Sequence, residues 1–140
     1  SYLGERSFPL IIQNVHRYFL YLALMFIMIL AYDAWKGLWF TDPVTGITSF
    51  GIGVGSLVLI LNVTRLGGYT FGCHSLRHLV GGCVDKLSHM NRLRQSTYDC
   101  VSCLNQRHML CAWMSLVWVG FTDFYIRMCA MGAWTDFRLL

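Results

Sequence analysis

Three long apolar runs that contain no charged side chain constrain the fold of this chain more than any other feature. They cover residues 18–32, residues 43–64 and residues 109–122. A helix needs about 20 mostly apolar residues to cross the hydrocarbon core of a bilayer. With their flanks, which place Trp35 and Trp39 where an aromatic belt would lie, the runs reach that length. The predicted spans are residues 14–38, 44–72 and 105–132.

The overall composition supports membrane insertion. Hydrophobic residues make up 56% of the chain, charged residues 13%, and the mean hydropathy is +0.50. Soluble domains carry about 25% charged residues, so much of this surface avoids water. The sequence therefore predicts an all-α integral membrane protein. We expect a bundle of three transmembrane helices in one anchor domain, residues 1–140, with more helices if the protein is longer.

The basic residues are concentrated between the second and third spans. Six of the eleven Lys and Arg residues lie in residues 65–107, whereas the end of the first span and the loop after it carry little positive charge, with Asp33, Lys36 and Asp42. Positive loops stay in the cytoplasm. This bias predicts that the N-terminus and a basic segment, residues 73–104, are cytoplasmic and that the C-terminus is outside. The net charge of +4 is interpreted as a basic surface that faces anionic lipid headgroups. No nucleic-acid partner is expected.

A six-residue motif occurs twice near the predicted membrane edges. "CHSLRH" and "CLNQRH" both read C-x-x-x-R-H and begin thirty residues apart. Helices joined by a loop run antiparallel, so the two motifs can reach the same membrane depth. Together they offer two thiols and two imidazoles, from Cys73, His78, Cys103 and His108.

Two metal centres fit this donor set. Zinc takes two Cys and two His in structural sites, and a Rieske-type 2Fe–2S cluster takes two Cys on one iron and two His on the other. A five-residue separation on a helix is about 140° of rotation, which favours the wider cluster. Haem b, with His78 and His108 as axial ligands, is an alternative that leaves both cysteines unused. All three centres stay open at this point.

Other groups compete with this set. A four-thiolate site could combine Cys73, Cys83, Cys100 and Cys103, but no repeat pairs Cys83 with a partner. The remaining histidines, His16, His74 and His89, are interpreted as interfacial or loop residues. Cys111 and Cys129 are interpreted as small buried residues. Asp123 and Arg127 share a helix face; mutual neutralisation near the outer interface is favoured over a proton or quinone path.

The chain contains no P-loop, nucleophile elbow, HExxH motif or dinucleotide fingerprint. It is therefore not expected to be an enzyme alone.

These residues resemble a known family. The runs "HRYFLYLALMFIMILAYDAWKGLWF" and "NVTRLGGYTFGCHSLRHLVGG", with the ending "FYIRMCAMGAWTDFRLL", are similar to the membrane-anchor subunit of mycobacterial-type succinate dehydrogenase. The resemblance implies a multi-pass anchor of an oligomeric respiratory complex in the plasma membrane. A flavoprotein and an iron–sulfur subunit would lie on the cytoplasmic side of that complex. It also implies a Rieske-type 2Fe–2S cluster at Cys73, His78, Cys103 and His108. This cluster would pass electrons from succinate oxidation to menaquinone or another quinone.

Overall fold

The computed structural model of the chain describes residues 7–42, 44–82 and 91–139. Within these residues it contains five helices and one short hairpin. In chain order the elements are α1 (Ile11–Lys36), β1 (Trp39–Thr41), β2 (Thr48–Phe50), α2 (Val54–Phe71), α3 (His74–Gly81), α4 (Arg92–Gln106) and α5 (His108–Ala130).

Three of the described helices are long and apolar enough to cross a membrane: Asn14–Lys36 within α1, Val54–Phe71 and His108–Ala130. Most of their large apolar side chains are exposed in the protein alone, which suits contact with lipid. The share of buried residues is 28% for α2 and 11% for α1, so α2 packs most against protein. The prediction of an all-α membrane protein with three spans is confirmed.

The second span is shorter than predicted. Residues 44–72 were expected to span, but α2 begins at Val54 because the preceding residues pair as a hairpin. Trp39 pairs with Phe50 in an antiparallel register, and their rings meet edge to face at 5.8 Å. The turn needs Gly46, whose φ of 69° lies in the left-handed region. The run lacks charges, but its Thr and aromatic residues favour strand pairing.

Short helices occupy the segment predicted as a basic loop. In residues 73–104 the chain forms α3 and most of α4, and those two helices pack against each other. The intervening residues 83–90, which contain Cys83 and His89, lie outside the described part of the chain.

The backbone contacts divide the chain into two compact units. The first comprises the described parts of Ser1–Phe26 and Gly68–Cys111, and contains both repeats. The second comprises those of Ile27–Gly67 and Ala112–Leu140. The expectation of one anchor domain, residues 1–140, stays a prediction.

A C-terminal segment closes one end of the second unit. The Val54 amide donates to the Phe137 carbonyl at 2.9 Å, and the Leu139 amide to the Ile52 carbonyl at 2.7 Å. The Asp136 carboxylate accepts hydrogen bonds from the Gly55 amide at 2.8 Å and from the Tyr125 hydroxyl at 2.9 Å. The start of α2 is thus held by residues far away in sequence.

Candidate metal centre

Each C-x-x-x-R-H repeat lies at a break between two helices. Helix α2 ends at Phe71, and Cys73 is the N-terminal cap of α3. In the second repeat, α4 ends at Gln106, and Arg107 adopts φ −108° and ψ 15° before α5 begins at His108. In the second repeat, Cys103 and His108 therefore lie on two different helices. The 140° argument against chelation by a single motif does not apply there.

The two repeats contact each other through residues next to their cysteines. The Asn105 side-chain amide donates a hydrogen bond of 2.8 Å to the Gly72 carbonyl. A Cβ atom at Gly72 would lie 3.0 Å from the Leu104 carbonyl oxygen. Gly72 precedes Cys73, and Leu104 follows Cys103. Because no side chain separates the backbones at Gly72, the two motifs approach closely there.

Cys73 is the buried thiol of the pair and faces an imidazole from α1. It is 5% exposed, and its Sγ atom lies 3.2 Å from Nε2 of His16. One potential ligand atom each from His16, Cys73 and His74 lies within 4.8 Å of the other two. Among the described residues, this is the one group of three or more His, Cys, Asp or Glu side chains whose ligand atoms lie close enough together to hold a metal ion.

One histidine of this group, His74, favours the neutral form that metals bind. The rings of His16 and His74 stack with centroids 5.2 Å apart and an interplanar angle of 4°. Desolvation lowers the pKa of His74, and the nearby His16 and His78 lower it further. Metal ligation requires a neutral imidazole, so the lowered pKa of His74 favours binding of a cation.

The four predicted ligands differ in exposure. Cys73 is buried, whereas His78 on α3 and Cys103 on α4 are exposed. The His78 ring lies 6.4 Å from that of His74. His108 is half-buried and stacks on Tyr69 at 4.7 Å. Its Nδ1 atom is buried and lacks a hydrogen-bond partner in the part of the chain that the structure describes.

The sequence interpretation did not assign His16 and His74 as ligands. His74 directly follows Cys73, so the adjacent Cys–His pair was a readable signal. His16 lies 57 residues before Cys73 on another helix, and no spacing rule relates two residues so far apart. As a ligand set, Cys73, His78, Cys103 and His108 stays a prediction.

An apolar cavity lies beside the Cys73 thiol. Its volume is about 280 Å³. Its polar end is formed by His16, Thr70 and Cys73, and the Thr70 hydroxyl is buried with no hydrogen-bond partner among the residues described. Aromatic and aliphatic side chains form the rest of the lining: Phe19, Leu20, Leu22, Ala23, Phe26 and Tyr69.

The arginine of the first repeat is held by a tyrosine of α4. Nε and Nη2 of Arg77 donate to the Tyr98 hydroxyl at 3.2 and 3.0 Å. This guanidinium is therefore oriented by protein, in addition to any contact with lipid headgroups.

The Asp123–Arg127 pair lies at one end of α5. The two side chains form a 2.8 Å ion pair and are 62% and 71% exposed. Tyr125, between them in sequence, bonds Asp136, which also bonds Gly55 in the first turn of α2. The pair is thus level with the end of a span, which supports mutual neutralisation at an interface.

Comparisons with known proteins identify the family. A family model described as actinobacterial succinate dehydrogenase subunit SdhC matches residues 1–132. The chain belongs to this SdhC family.

A solved structure from a complex is also similar to this chain. The chain is similar to a chain of the Mycobacterium smegmatis Sdh1 complex in the apo form, with 41% sequence identity and a TM-score of 0.82. The match covers 100% of this chain and 50% of the solved chain, so this sequence spans half the length of that relative. No curated protein matches the chain.

Proposed function

We propose that this SdhC-family chain anchors a succinate dehydrogenase in the membrane and carries electrons through a Rieske-type 2Fe–2S cluster held by its two repeats. The contact of Gly72 with Leu104 carries the proposal, because it brings the backbones next to Cys73 and Cys103 together within a compact unit. Two copies of one Cys/His motif that meet at helix breaks suit a shared centre better than two independent ones.

The available donors fit such a cluster. A Rieske centre needs two thiolates and two imidazoles. Cys73 supplies a buried thiol, Cys103 lies next to the contact with Gly72, and His108 has a buried Nδ1 without a partner among the described residues. The remaining imidazole would come from His78, as the repeat predicts, or from the His16 and His74 pair beside Cys73.

When bound, the cluster supplies a one-electron carrier between an iron–sulfur partner and a quinone. The protein side chains provide the surroundings for that task. The apolar cavity beside Cys73 has room for a quinone ring, and the His16 imidazole and Thr70 hydroxyl at its polar end can donate hydrogen bonds to quinone oxygens. Arg77 adds positive charge near the first repeat, which favours the reduced form of a nearby centre.

The orientation follows from the distribution of charge. The basic segment, residues 73–104, would face the cytoplasm together with the N-terminus. The first repeat and most of α4 lie in that segment, so soluble iron–sulfur and flavoprotein subunits would dock on the same side as the cluster. The quinone, menaquinone or another, would enter from the lipid.

A mononuclear metal site is the second candidate. The ligand atoms of His16, Cys73 and His74 lie within 4.8 Å of one another, which is compatible with one tetrahedral ion such as Zn²⁺. In that case the chain would be a structural anchor whose metal holds α1 against the start of α3. The haem alternative through His78 and His108 predicts a different spectrum.

Electron paramagnetic resonance of the reduced, purified complex tests the proposal. A Rieske-type signal is expected in the parent complex and is expected to disappear in Cys73→Ser and in Cys103→Ser. Cys111→Ser is the matched control, since Cys111 is a half-buried thiol outside both repeats, and it should retain the signal. Full signal in both repeat variants would exclude the cluster at these residues.

The same preparations separate the alternatives. Zinc bound in a one-to-one ratio with no Rieske-type signal would support the mononuclear site, and a pyridine haemochrome band would support haem b. If the cluster is present, His78→Gln and His16→Gln identify the imidazole ligand of the first repeat. The variant that changes the g-values of the signal removes a ligand, whereas the other should keep them.

A further inference from the structure

Helix α3 is too short to fix its own position. It has eight residues, from His74 to Gly81, whereas isolated helices shorter than about 12–15 residues are marginally stable in water. Its N-terminal cap, Cys73, makes no side-chain capping hydrogen bond. Two imidazoles of the candidate centre, His74 and His78, lie on this helix. Their placement therefore depends on what α3 packs against.

One tyrosine of α4 contacts α3 at two points. The Tyr98 hydroxyl accepts two hydrogen bonds from Arg77, and the guanidinium carbon lies 5.2 Å from the centre of the Tyr98 ring. Hydrogen bonds to charged groups are stronger than those between neutral groups. The ring also lies against Gly81, where an added Cβ would be 2.7 Å from Tyr98 Cε2. Tyr98 thus contacts the middle and the end of α3.

Arg94, one helical turn before Tyr98, holds the C-terminal end of α3. Its Nε donates to the Val80 carbonyl at 2.7 Å, and its Nη2 donates to the Gly82 carbonyl. The last carbonyls of a helix lack partners within the helix and lie at the negative end of its dipole. The Arg94 guanidinium supplies both hydrogen-bond donors and a positive charge at this end. Together with Tyr98, it brings α4 into contact with the second half of α3.

We propose that Tyr98 is a positioning residue for the first repeat. It fixes α3 against α4, the helix that also carries Cys103, and thereby sets where His74 and His78 lie relative to the second repeat. Tyr98 belongs to neither repeat, and it lies five positions before Cys103 in sequence. The positioning of the helix stands on contacts alone, whereas its effect on the cluster rests on the proposed function.

Two substitutions separate the contributions of the hydroxyl and the ring. Tyr98→Phe removes the bonds to Arg77 and keeps the ring against Gly81, whereas Tyr98→Ala removes both. Amide hydrogen exchange across residues 75–81, measured in the purified complex, reports how firmly α3 is held. We expect exchange to accelerate by about tenfold in Tyr98→Phe, from the loss of charge-assisted bonds, and by more in Tyr98→Ala. Tyr18→Ala, at a tyrosine that is 74% exposed, should leave α3 exchange unchanged.

The Rieske-type signal supplies the second measurement. If α3 positions a ligand, its lines should broaden or its g-values should shift in Tyr98→Phe, with the complex still assembled. Unchanged α3 exchange in Tyr98→Ala would overturn the proposal. Faster exchange with an unaltered signal would also overturn it, because Tyr98 would then hold α3 without any effect on the ligands of the cluster. Absence of the signal from the parent complex rejects the cluster instead, and exchange still tests the hold on α3.

Discussion

The Asp136 carboxylate stabilises the start of α2 from a position 81 residues away. Its Oδ1 atom accepts hydrogen bonds from the Gly55 amide at 2.8 Å and from the Tyr125 hydroxyl at 2.9 Å. The first turn of α2 contains no acidic residue of its own. The first amides of a helix lack partners within the helix, so a distant carboxylate takes the role of a capping side chain. We expect Asp136→Ala to destabilise the second unit.

The expected loss follows from the two bonds. Removal of a side chain that caps a helix costs about 0.5–2 kcal/mol. The Tyr125 hydroxyl, in a residue that is 9% exposed, would lose its bond to a carboxylate, and a hydrogen bond to a charged group contributes about 1.5–3 kcal/mol. Since the two costs overlap in part, the free energy of unfolding should fall by about 2–4 kcal/mol.

Reversible denaturation of the anchor in detergent micelles, followed by circular dichroism, measures this loss. Asp123→Ala is the matched control: its carboxylate bonds Arg127 at an exposed ion pair, and such pairs contribute about 0–1 kcal/mol. Tyr125→Phe removes one bond and should cost less than Asp136→Ala. In the double variant the two losses should not add, since the same bond is lost in both. If Asp136→Ala costs no more than Asp123→Ala, the capping argument is refuted.

Two further substitutions test local contacts. Asn105→Ala removes the side-chain bond to the Gly72 carbonyl, so we expect it to destabilise the first unit by about 1–3 kcal/mol and to weaken any Rieske-type signal; equal unfolding curves for variant and parent would refute this. Asp42 accepts bonds from the Val44 and Thr45 amides, and these lower its pKa below 3.8. The contribution of Asp42 to stability should therefore be present at neutral pH and be lost as the pH falls through this lowered pKa. An NMR titration that places the Asp42 midpoint at or above 3.8 would contradict the reasoning, while Asp42→Asn should keep the turn.

Much of the fold could be predicted because the membrane restricts the choices. A bilayer core leaves backbone groups without water, so a long apolar run must pair them within a helix. The runs at residues 18–32 and 109–122 contain no charge and became α1 and α5. The run at residues 43–64 misled the prediction, because absence of charge does not distinguish a buried helix from a hairpin at its edge. The Gly46 turn and the pairing of Trp39 with Phe50 account for the difference.

The candidate site was predictable in part. A repeated motif is visible in one dimension, so the sequence predicted that the segments containing Cys73 and Cys103 approach each other, and Gly72 and Leu104 do meet. Shared ligation by the two cysteines stays a prediction. His16 could not be paired with Cys73 from the sequence, although their side chains lie 3.2 Å apart.

The sequence by itself determined that the chain enters a membrane, roughly where it crosses, and that two Cys/His motifs lie near the ends of helices. The tertiary structure alone decided which imidazoles surround Cys73, that Tyr98 and Arg94 hold α3, and that Asp136 caps α2. The physical reason is that apolar length and motif spacing are properties of neighbouring residues. Contact between helices depends instead on the rotation and offset of each helix, which packing fixes only after the chain has folded.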